Sequence, residues 1–358
     1  MRDVVSTVVS AGLVLALAGC ASHAQPATTA RPAALEGFKP EAAAALGEGD
    51  LWLLGTVPCM TGRCAAVARS GNGGRSFTRS AAPELRSRTI TPELVFANRG
   101  DGYALAPWPG SGLFATHDGG SSWHRLRLGD VLAFATGSGN ADAVTARCTP
   151  DRCGGYRLER SAAASDSWSA SPLPFTPDGS IVDLAARNGD VWLLATEAGG
   201  LAAHDRLARS RDGGRTFVTG PGPCYAGLGG SLAPTAGKVV WAVCPTGMLA
   251  GAFRSTDGDS FTSLHTPPLA NSARLAPASA TTAVLFANAA GARLLRTTDA
   301  GASWSPVRTP PHPALGVSWL ELATPRVGYA LVQADETGRQ ALWRTRDAGA
   351  SWTRIRLG

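Results

Sequence analysis

Short apolar runs, separated by clusters of Gly, Asn, Asp and Ser, recur along the chain from about residue 36 to its end. One set reads Leu94-Val95-Phe96, Val131-Leu132-Ala133-Phe134, Ile181-Val182-Asp183-Leu184 and Trp319-Leu320-Glu321-Leu322. A second set reads Leu51-Trp52-Leu53-Leu54, Gly102-Tyr103-Ala104-Leu105, Val191-Trp192-Leu193-Leu194, Val240-Trp241-Ala242-Val243 and Gly328-Tyr329-Ala330-Leu331. Runs of this length bounded by turn residues predict β-strands, and no segment carries the 3.6-residue apolar period of an amphipathic helix. The fold class expected is all-β.

Between these runs one octad, Ser/Thr-x-Asp-x-Gly-x-Ser/Thr-Trp/Phe, recurs seven times, beginning at Ser70, Thr116, Ser161, Ser210, Ser255, Thr297 and Thr345. Five copies keep the aspartate, at Asp118, Asp212, Asp257, Asp299 and Asp347, and the first has Asn72 in its place. Four end in tryptophan, at Trp123, Trp168, Trp304 and Trp352. The third copy is worn, Ser161-Ala162-Ala163-Ala164-Ser165-Asp166-Ser167-Trp168, and the fifth lacks one residue. Successive copies start 46, 45, 49, 45, 42 and 48 residues apart, the length of a four-stranded propeller blade. The residue types suit a tight turn: a carboxylate and a hydroxyl can accept turn N–H groups, and glycine tolerates positive φ.

The octad resembles the Asp-box, or bacterial neuraminidase, repeat, and the resemblance covers residues from about 36 to the C-terminus. It implies a seven-bladed β-propeller of four-stranded antiparallel blades, with each octad forming the hairpin between third and fourth strands. The aspartates are then architectural, and the recurrent Trp and Tyr of the second strands read as packing between blades. Among Asp-box proteins the chain is most similar to the seven-bladed photosystem II assembly and stability factor type. Pro92 to Leu105 leading to Asp118-Gly119-Gly120, and Trp319 to Trp352, have that family's form of apolar strand, Gly-Tyr dipeptide and Asp box. A photosystem partner is not implied.

The N-terminus sets the expected compartment. Arg2 precedes a largely apolar run from Val4 to Ala18 that ends in Leu17-Ala18-Gly19-Cys20. This run is short for a membrane span, and with its small residues and cysteine it reads as a bacterial lipoprotein signal peptide over 1–19. Cys20 is the expected lipidation site, 20–35 a flexible lipidated tether rich in Ala, Thr and Pro, and 36–358 the propeller.

The six other cysteines are Cys59, Cys64, Cys148, Cys153, Cys224 and Cys244, an even count that suits disulfides in an oxidising compartment. Zinc ligation would favour two-residue spacers with nearby histidines, whereas both short pairs have four residues between them and no histidine close by. Placed on the repeat, Cys59–Cys64 and Cys148–Cys153 are expected to staple second-to-third strand hairpins. Cys224 is assigned to the start of the fifth blade, tying a leading loop, Gly220 to Tyr225, to that blade's second strand at Cys244.

The formal charge is +6, nearly all from arginine, since lysine occurs at positions 39 and 238 alone. No basic run or aromatic-basic patch of a nucleic-acid binder is present. An arginine precedes six of the seven octads, at Arg69, Arg160, Arg209, Arg254, Arg296 and Arg344. Two readings stand: a guanidinium ring for a partner's carboxylates, or side chains lying along their own blade edges and pairing with local acids. The second is expected.

A sialidase would need an arginine triad, a Tyr/Glu pair and an acid, and its family carries an Arg-Ile-Pro motif; that motif does not occur. No nucleophile elbow, phosphate loop or paired-carboxylate motif stands out, and His117 within one octad and His124 just after it do not imply a metal. No cofactor and no metal are expected. The expected function is a membrane-anchored, extracytoplasmic, non-catalytic scaffold for a protein partner, through loops on the ring faces such as Trp108 to Gly112 and Gly220 to Cys224. The alternative is a sialidase-like glycoside hydrolase or a surface-glycan-binding module.

Overall fold

The apolar runs and octads organise the chain into seven sheets, each built from strands consecutive in sequence and hydrogen-bonded in sequence order, antiparallel throughout. The computed structural model describes residues 35–60, 62–85, 92–106, 112–199, 203–270, 273–287, 293–307, 316–333, 335 and 338–357. Cys20, the expected signal peptide, the expected tether up to residue 34 and residues 108–111 lie outside them.

From inner to outer strand, blade 1 comprises Lys39–Leu46, Asp50–Cys59, Gly62–Ser70 and Thr78–Ala81. Blade 2 comprises Glu93–Phe96, Gly102–Ala106, Gly112–Thr116 and His124–Arg125, and blade 3 Asp130–Gly137, Asn140–Cys148, Cys153–Ala162 and Ser169–Pro172. Blade 4 comprises Pro177–Arg187, Asp190–Glu197, His204–Ser210 and Val218–Tyr225. Blade 5 comprises Ser231–Pro234, Val240–Pro245, Leu249–Ser255 and Phe261–Ser263, with Leu269–Ala270 as an extra strand on its third. Blades 6 and 7 comprise Arg274–Pro277, Ala283–Ala287, Arg293–Thr297 and Ser305–Pro306, then Val317–Leu322, Gly328–Gln333, Gln340–Thr345 and Thr353–Ile355.

The inner strands contact one another around a closed ring, with that of blade 1 touching those of blades 2 and 7. The molecule is a seven-bladed β-propeller, and no helix occurs among the described residues. Second strands form the core because they are covered on both faces: Asp50–Cys59, Gly102–Ala106 and Ala283–Ala287 are buried along almost their whole length. Trp52, Trp192, Trp241, Tyr103 and Tyr329 are among the largest fully buried side chains.

How the ring closes was open in the sequence. Lys39–Leu46 pairs with the second strand of its own blade, so no blade combines strands from both chain ends. Closure therefore rests on side chains between blades 7 and 1.

Strand order also sorts the connections. In each blade the first-to-second turn and the octad lie at one end of the sheet, and the second-to-third hairpin and the exit to the next blade lie at the other. The propeller accordingly has an octad face and a hairpin face.

Candidate functional site

Each octad is a self-contained hydrogen-bonded turn. In blade 2, Asp118 Oδ1 accepts the N–H groups of Ser121 and Ser122 at 2.9 Å and the Thr116 hydroxyl at 2.8 Å, while the Ser122 hydroxyl donates to Oδ2 at 2.6 Å. Thr116 Oγ1 in turn accepts from Gly120 N–H. Asp212, Asp257, Asp299 and Asp347 repeat the arrangement, and Asn72 replaces the carboxylate in blade 1. The Ser303 hydroxyl and N–H, with the Thr297 hydroxyl, hold the Asp299 carboxyl at about 2. Slight burial works against the same effect at Asp118, yet the Ser122, Thr116 and Ser121 hydrogen bonds bring it to about 2. Such carboxylates are committed to the turn and poorly suited to proton transfer.

The aromatic side chains of the second strands cross to the next blade. Trp52 Nε1 donates to Gly119 O at 2.9 Å, Tyr103 OH to Ala163 O at 3.0 Å, Trp192 Nε1 to Gly258 O at 3.1 Å and Trp241 Nε1 to Ser279 O at 3.3 Å. Tyr329 OH donates to Glu48 O at 3.1 Å, which carries the same device across the junction of blades 7 and 1. The octad tryptophans meet these rings edge-on: Trp168 on Tyr103 and Trp304 on Trp241. Trp123 packs on Phe96, which stacks on Trp52, and Trp352 is buried against Val284 of blade 6.

The pre-octad arginines are neither a free guanidinium ring nor confined to their own blades. Cross-strand register sets Arg69, Arg209, Arg254 and Arg344 opposite Trp52, Trp192, Trp241 and Tyr329, and the first three guanidiniums lie 5.3–5.6 Å from the indole centroids. From there they reach the following blade: Arg254 Nε donates to Ala280 O, Arg296 Nε to Ala348 O and Arg344 Nη1 to Gly73 O. Arg209, 3% exposed, bridges Asp190 of its own blade to Asp259 of the next, at 2.9 Å each, and also donates to Asp257 O. Arg160 pairs with the local acid Asp142 at 2.6 Å and lies against Gly213 and Gly214 of blade 4. The expectation of a side chain along its own edge thus holds only in part. Hydrogen bonds to the turns of the following blade are the larger role, to octad carbonyls at Asp257, Ala348 and Gly73 and to the first-to-second turn at Ala280.

Three disulfides, Cys59–Cys64, Cys148–Cys153 and Cys224–Cys244, all lie on the hairpin face. The first two close second-to-third hairpins. Cys224 differs from its sequence assignment. Gly220 to Tyr225 is not a leading loop of blade 5 but part of the outer strand of blade 4, pairing with His204–Ser210, so Cys224–Cys244 joins two blades. Pro221 and Pro223 obscured this strand; an outer strand has one unpaired edge and tolerates missing N–H groups there.

The hairpin face also carries most of the exposed apolar side chains. Met60 and Met248 sit at hairpin tips, Leu249 follows the second of these, Tyr225 and Leu228 lie on the crossing from blade 4 to blade 5, and Ile181 lies near the start of an inner strand. Val218, after an octad, is the one large exposed apolar residue elsewhere among the described residues.

On the octad face, the inner-strand ends of blades 1 to 4 and 7 line a cavity of about 370 Å³ at the channel mouth, with Trp319, Glu321 and Arg187 among its walls. Burial pushes the Glu321 carboxyl up to about 7 against an Ala45 N–H hydrogen bond and the Arg187 charge, and burial likewise raises Asp183, deeper in the ring, to about 7. Among the described residues the cavity is lined by one arginine and one carboxyl, Arg187 and Glu321, where a sialidase-like site uses an arginine triad, a Tyr/Glu pair and an acid.

A second polar cluster brings together residues that the sequence left apart. His117, in the blade 2 octad, and His124, which begins the outer strand of blade 2, both turn Nε2 toward Asp166 of the worn blade 3 octad, at 3.4 and 2.6 Å. His117 Nδ1 meets Asp101 Oδ1 at 2.7 Å. Partial burial depresses the His117 pKa, but the hydrogen bonds and charges of Asp101 and Asp166 outweigh it and raise it overall. Asp166 escaped notice because the octad pattern gives its position no role.

No family model matches the chain, and no curated protein is similar to it. Several solved structures are similar to the chain. YCF48 from Cyanidioschyzon merolae is 14% identical, with 87% of this chain and 96% of that one covered and a TM-score of 0.56. The β-propeller domain of the Trilobed protease from Pyrococcus furiosus, which has an open velcro topology, is 7% identical over 89% of this chain and 98% of that one, with a TM-score of 0.55. A GH74 xyloglucanase from Xanthomonas campestris is 16% identical over 88% and 72%, with a TM-score of 0.34.

Proposed function

We propose that the chain is an Asp-box propeller lipoprotein, held by acylated Cys20 on the extracytoplasmic side of a membrane, that acts as a non-catalytic scaffold and binds a protein partner through its hairpin face. The observation that carries this reading is the concentration of five exposed apolar side chains, Ile181, Tyr225, Leu228, Met248 and Leu249, on adjacent blades 4 and 5, on the face that also bears Met60 of blade 1 and all three disulfides. Apolar residues exposed together on one face favour a protein surface over a polar ligand. Stapled hairpins reduce the ordering cost of binding, and methionines adapt to a partner's shape. The disulfides suit an oxidising compartment, in keeping with export.

The opposite face supports this reading by what occupies its polar groups. Octad aspartates and pre-octad arginines are engaged in turns and blade junctions, leaving Glu321 and Trp319 at the channel mouth as the basis for the glycan-directed alternative.

The test is crosslinking capture from the protein's own membranes, comparing the wild type with a Met248→Asp/Leu249→Asp variant, beside a fluorogenic glycosidase panel. The scaffold reading expects a stoichiometric protein partner lost in the variant and a silent panel. Glycoside turnover abolished by Glu321→Gln would replace it with the hydrolase.

A further inference from the structure

The junction between the octads of blades 2 and 3 holds the histidine cluster, and its parts have no role in the propeller architecture just described. Two of its three members stand at variable octad positions: elsewhere the second place holds Gly71, Ala162, Arg211, Thr256, Thr298 and Arg346, and the sixth Arg75, Ser121, Arg215, Asp259, Ala302 and Ala350. His117 takes the second place and Asp166 the sixth. The worn octad lost its turn-forming aspartate, having Ala163 there, and closes instead through Ser161 Oγ donating to Ser165 O at 2.6 Å. Its carboxylate at Asp166 is therefore outside the turn and faces the neighbouring blade.

We propose that His117, His124 and Asp166 bind a divalent transition-metal ion of borderline softness, of the zinc, cobalt or nickel class. One ring nitrogen of each histidine and a carboxylate oxygen of Asp166 all lie within 4.8 Å of one another, and Nε2 of both rings faces that carboxylate. Tetrahedral coordination with metal–ligand bonds of about 2.0–2.2 Å requires ligand atoms some 3.3 Å apart, a contraction within the reach of side-chain rotation at a half-exposed site. Two imidazoles and one carboxylate are a donor set that this metal class accepts, with a fourth position left for water or an incoming ligand.

A second observation is independent of the three ligands. Asp101, 8% exposed and held by Asn98 Nδ2 at 2.7 Å, accepts from His117 Nδ1 at 2.7 Å. A buried carboxylate on Nδ1 fixes the ring and directs Nε2 outward as the ligating atom, the arrangement that accompanies metal-bound histidines. Asp101 is thus a positioning residue, and the bound ion would tie blade 2 to blade 3 at a junction where no pre-octad arginine is available, since Ala115 stands in that place.

The experiment is calorimetric titration of the untagged full-length protein in detergent with Zn²⁺, together with Co²⁺ titration read by its visible ligand-field absorption. One equivalent of saturable binding is expected, weakened at least 100-fold in His124→Ala and in Asp166→Asn, and 10–100-fold in Asp101→Asn with the stoichiometry kept. His204→Ala, on the hairpin side of blade 4, should bind as the wild type does. His124 and Asp166 are surface groups, so circular dichroism should show both variants folded. Absence of saturable binding at millimolar metal overturns the proposal. So does binding that survives both His124→Ala and Asp166→Asn, or binding lost in His204→Ala.

Discussion

At Ala300 and Ala348 the backbone has φ of 63° and 55°, values that Gly73, Gly119 and Gly213 take at the same octad position in other blades. A Cβ in this region clashes with the following carbonyl. Ala300→Gly and Ala348→Gly are therefore expected to stabilise the fold by about 0.5–1 kcal/mol each in urea unfolding, relief of strain exceeding the added freedom of the unfolded chain. The octad carboxylates set a pH dependence of opposite character to the channel acids. Asp118 and Asp299 sit at about 2 in the folded state, below the ordinary aspartate value of about 4, so their contribution is present above pH 4 and is lost as pH falls from 4 toward 2. Thermal midpoints followed by circular dichroism should fall through that window, and Asp118→Asn with Asp299→Asn should flatten the fall.

At the scale of elements, the outer strand Val218–Tyr225 shows how an edge position changes what a sequence permits. Two prolines and two glycines in Gly220 to Pro223 read as loop, yet the strand forms against His204–Ser210, with His204 stacked on Tyr225 at 5.1 Å. Cys224 and Cys244, both fully buried, then lock it to the second strand of blade 5. The loop they close spans 20 residues, for which the chain-entropy relation gives about 3 kcal/mol. Cys224→Ala/Cys244→Ala should lose that much in urea unfolding, and more than Cys59→Ala/Cys64→Ala, whose five-residue separation closes a shorter loop.

At the scale of the molecule, a ring without a shared blade depends on its last junction. Arg344 Nη1 to Gly73 O, Tyr329 OH to Glu48 O and the apolar cluster joining Leu51, Phe77, Leu331 and Leu342 are what close it. Removing the charged donor in Arg344→Ala should cost about 2 kcal/mol. Hydrogen exchange should then show protection lost first in Lys39–Leu46 and Val317–Leu322, the inner strands on either side of the seam. Loss spread evenly over all blades would mean that the seam is no weaker than the other junctions.

The number of blades, their strand content and the turn chemistry were legible in the sequence because each is local: an octad closes on its own atoms, as Asp118 does on Ser121 and Ser122, and a repeat of fixed length counts itself. The paired cysteines of the two hairpins were legible for the same reason. What only the tertiary structure decided lies between blades. The partner of Arg344 is 271 residues away, that of Tyr329 is 281, and Asp166 meets His117 and His124 across separations of 49 and 42. No spacing rule encodes such contacts, because they arise from the rotation of one sheet against the next, which brings a strand end of one repeat onto the turn of its neighbour.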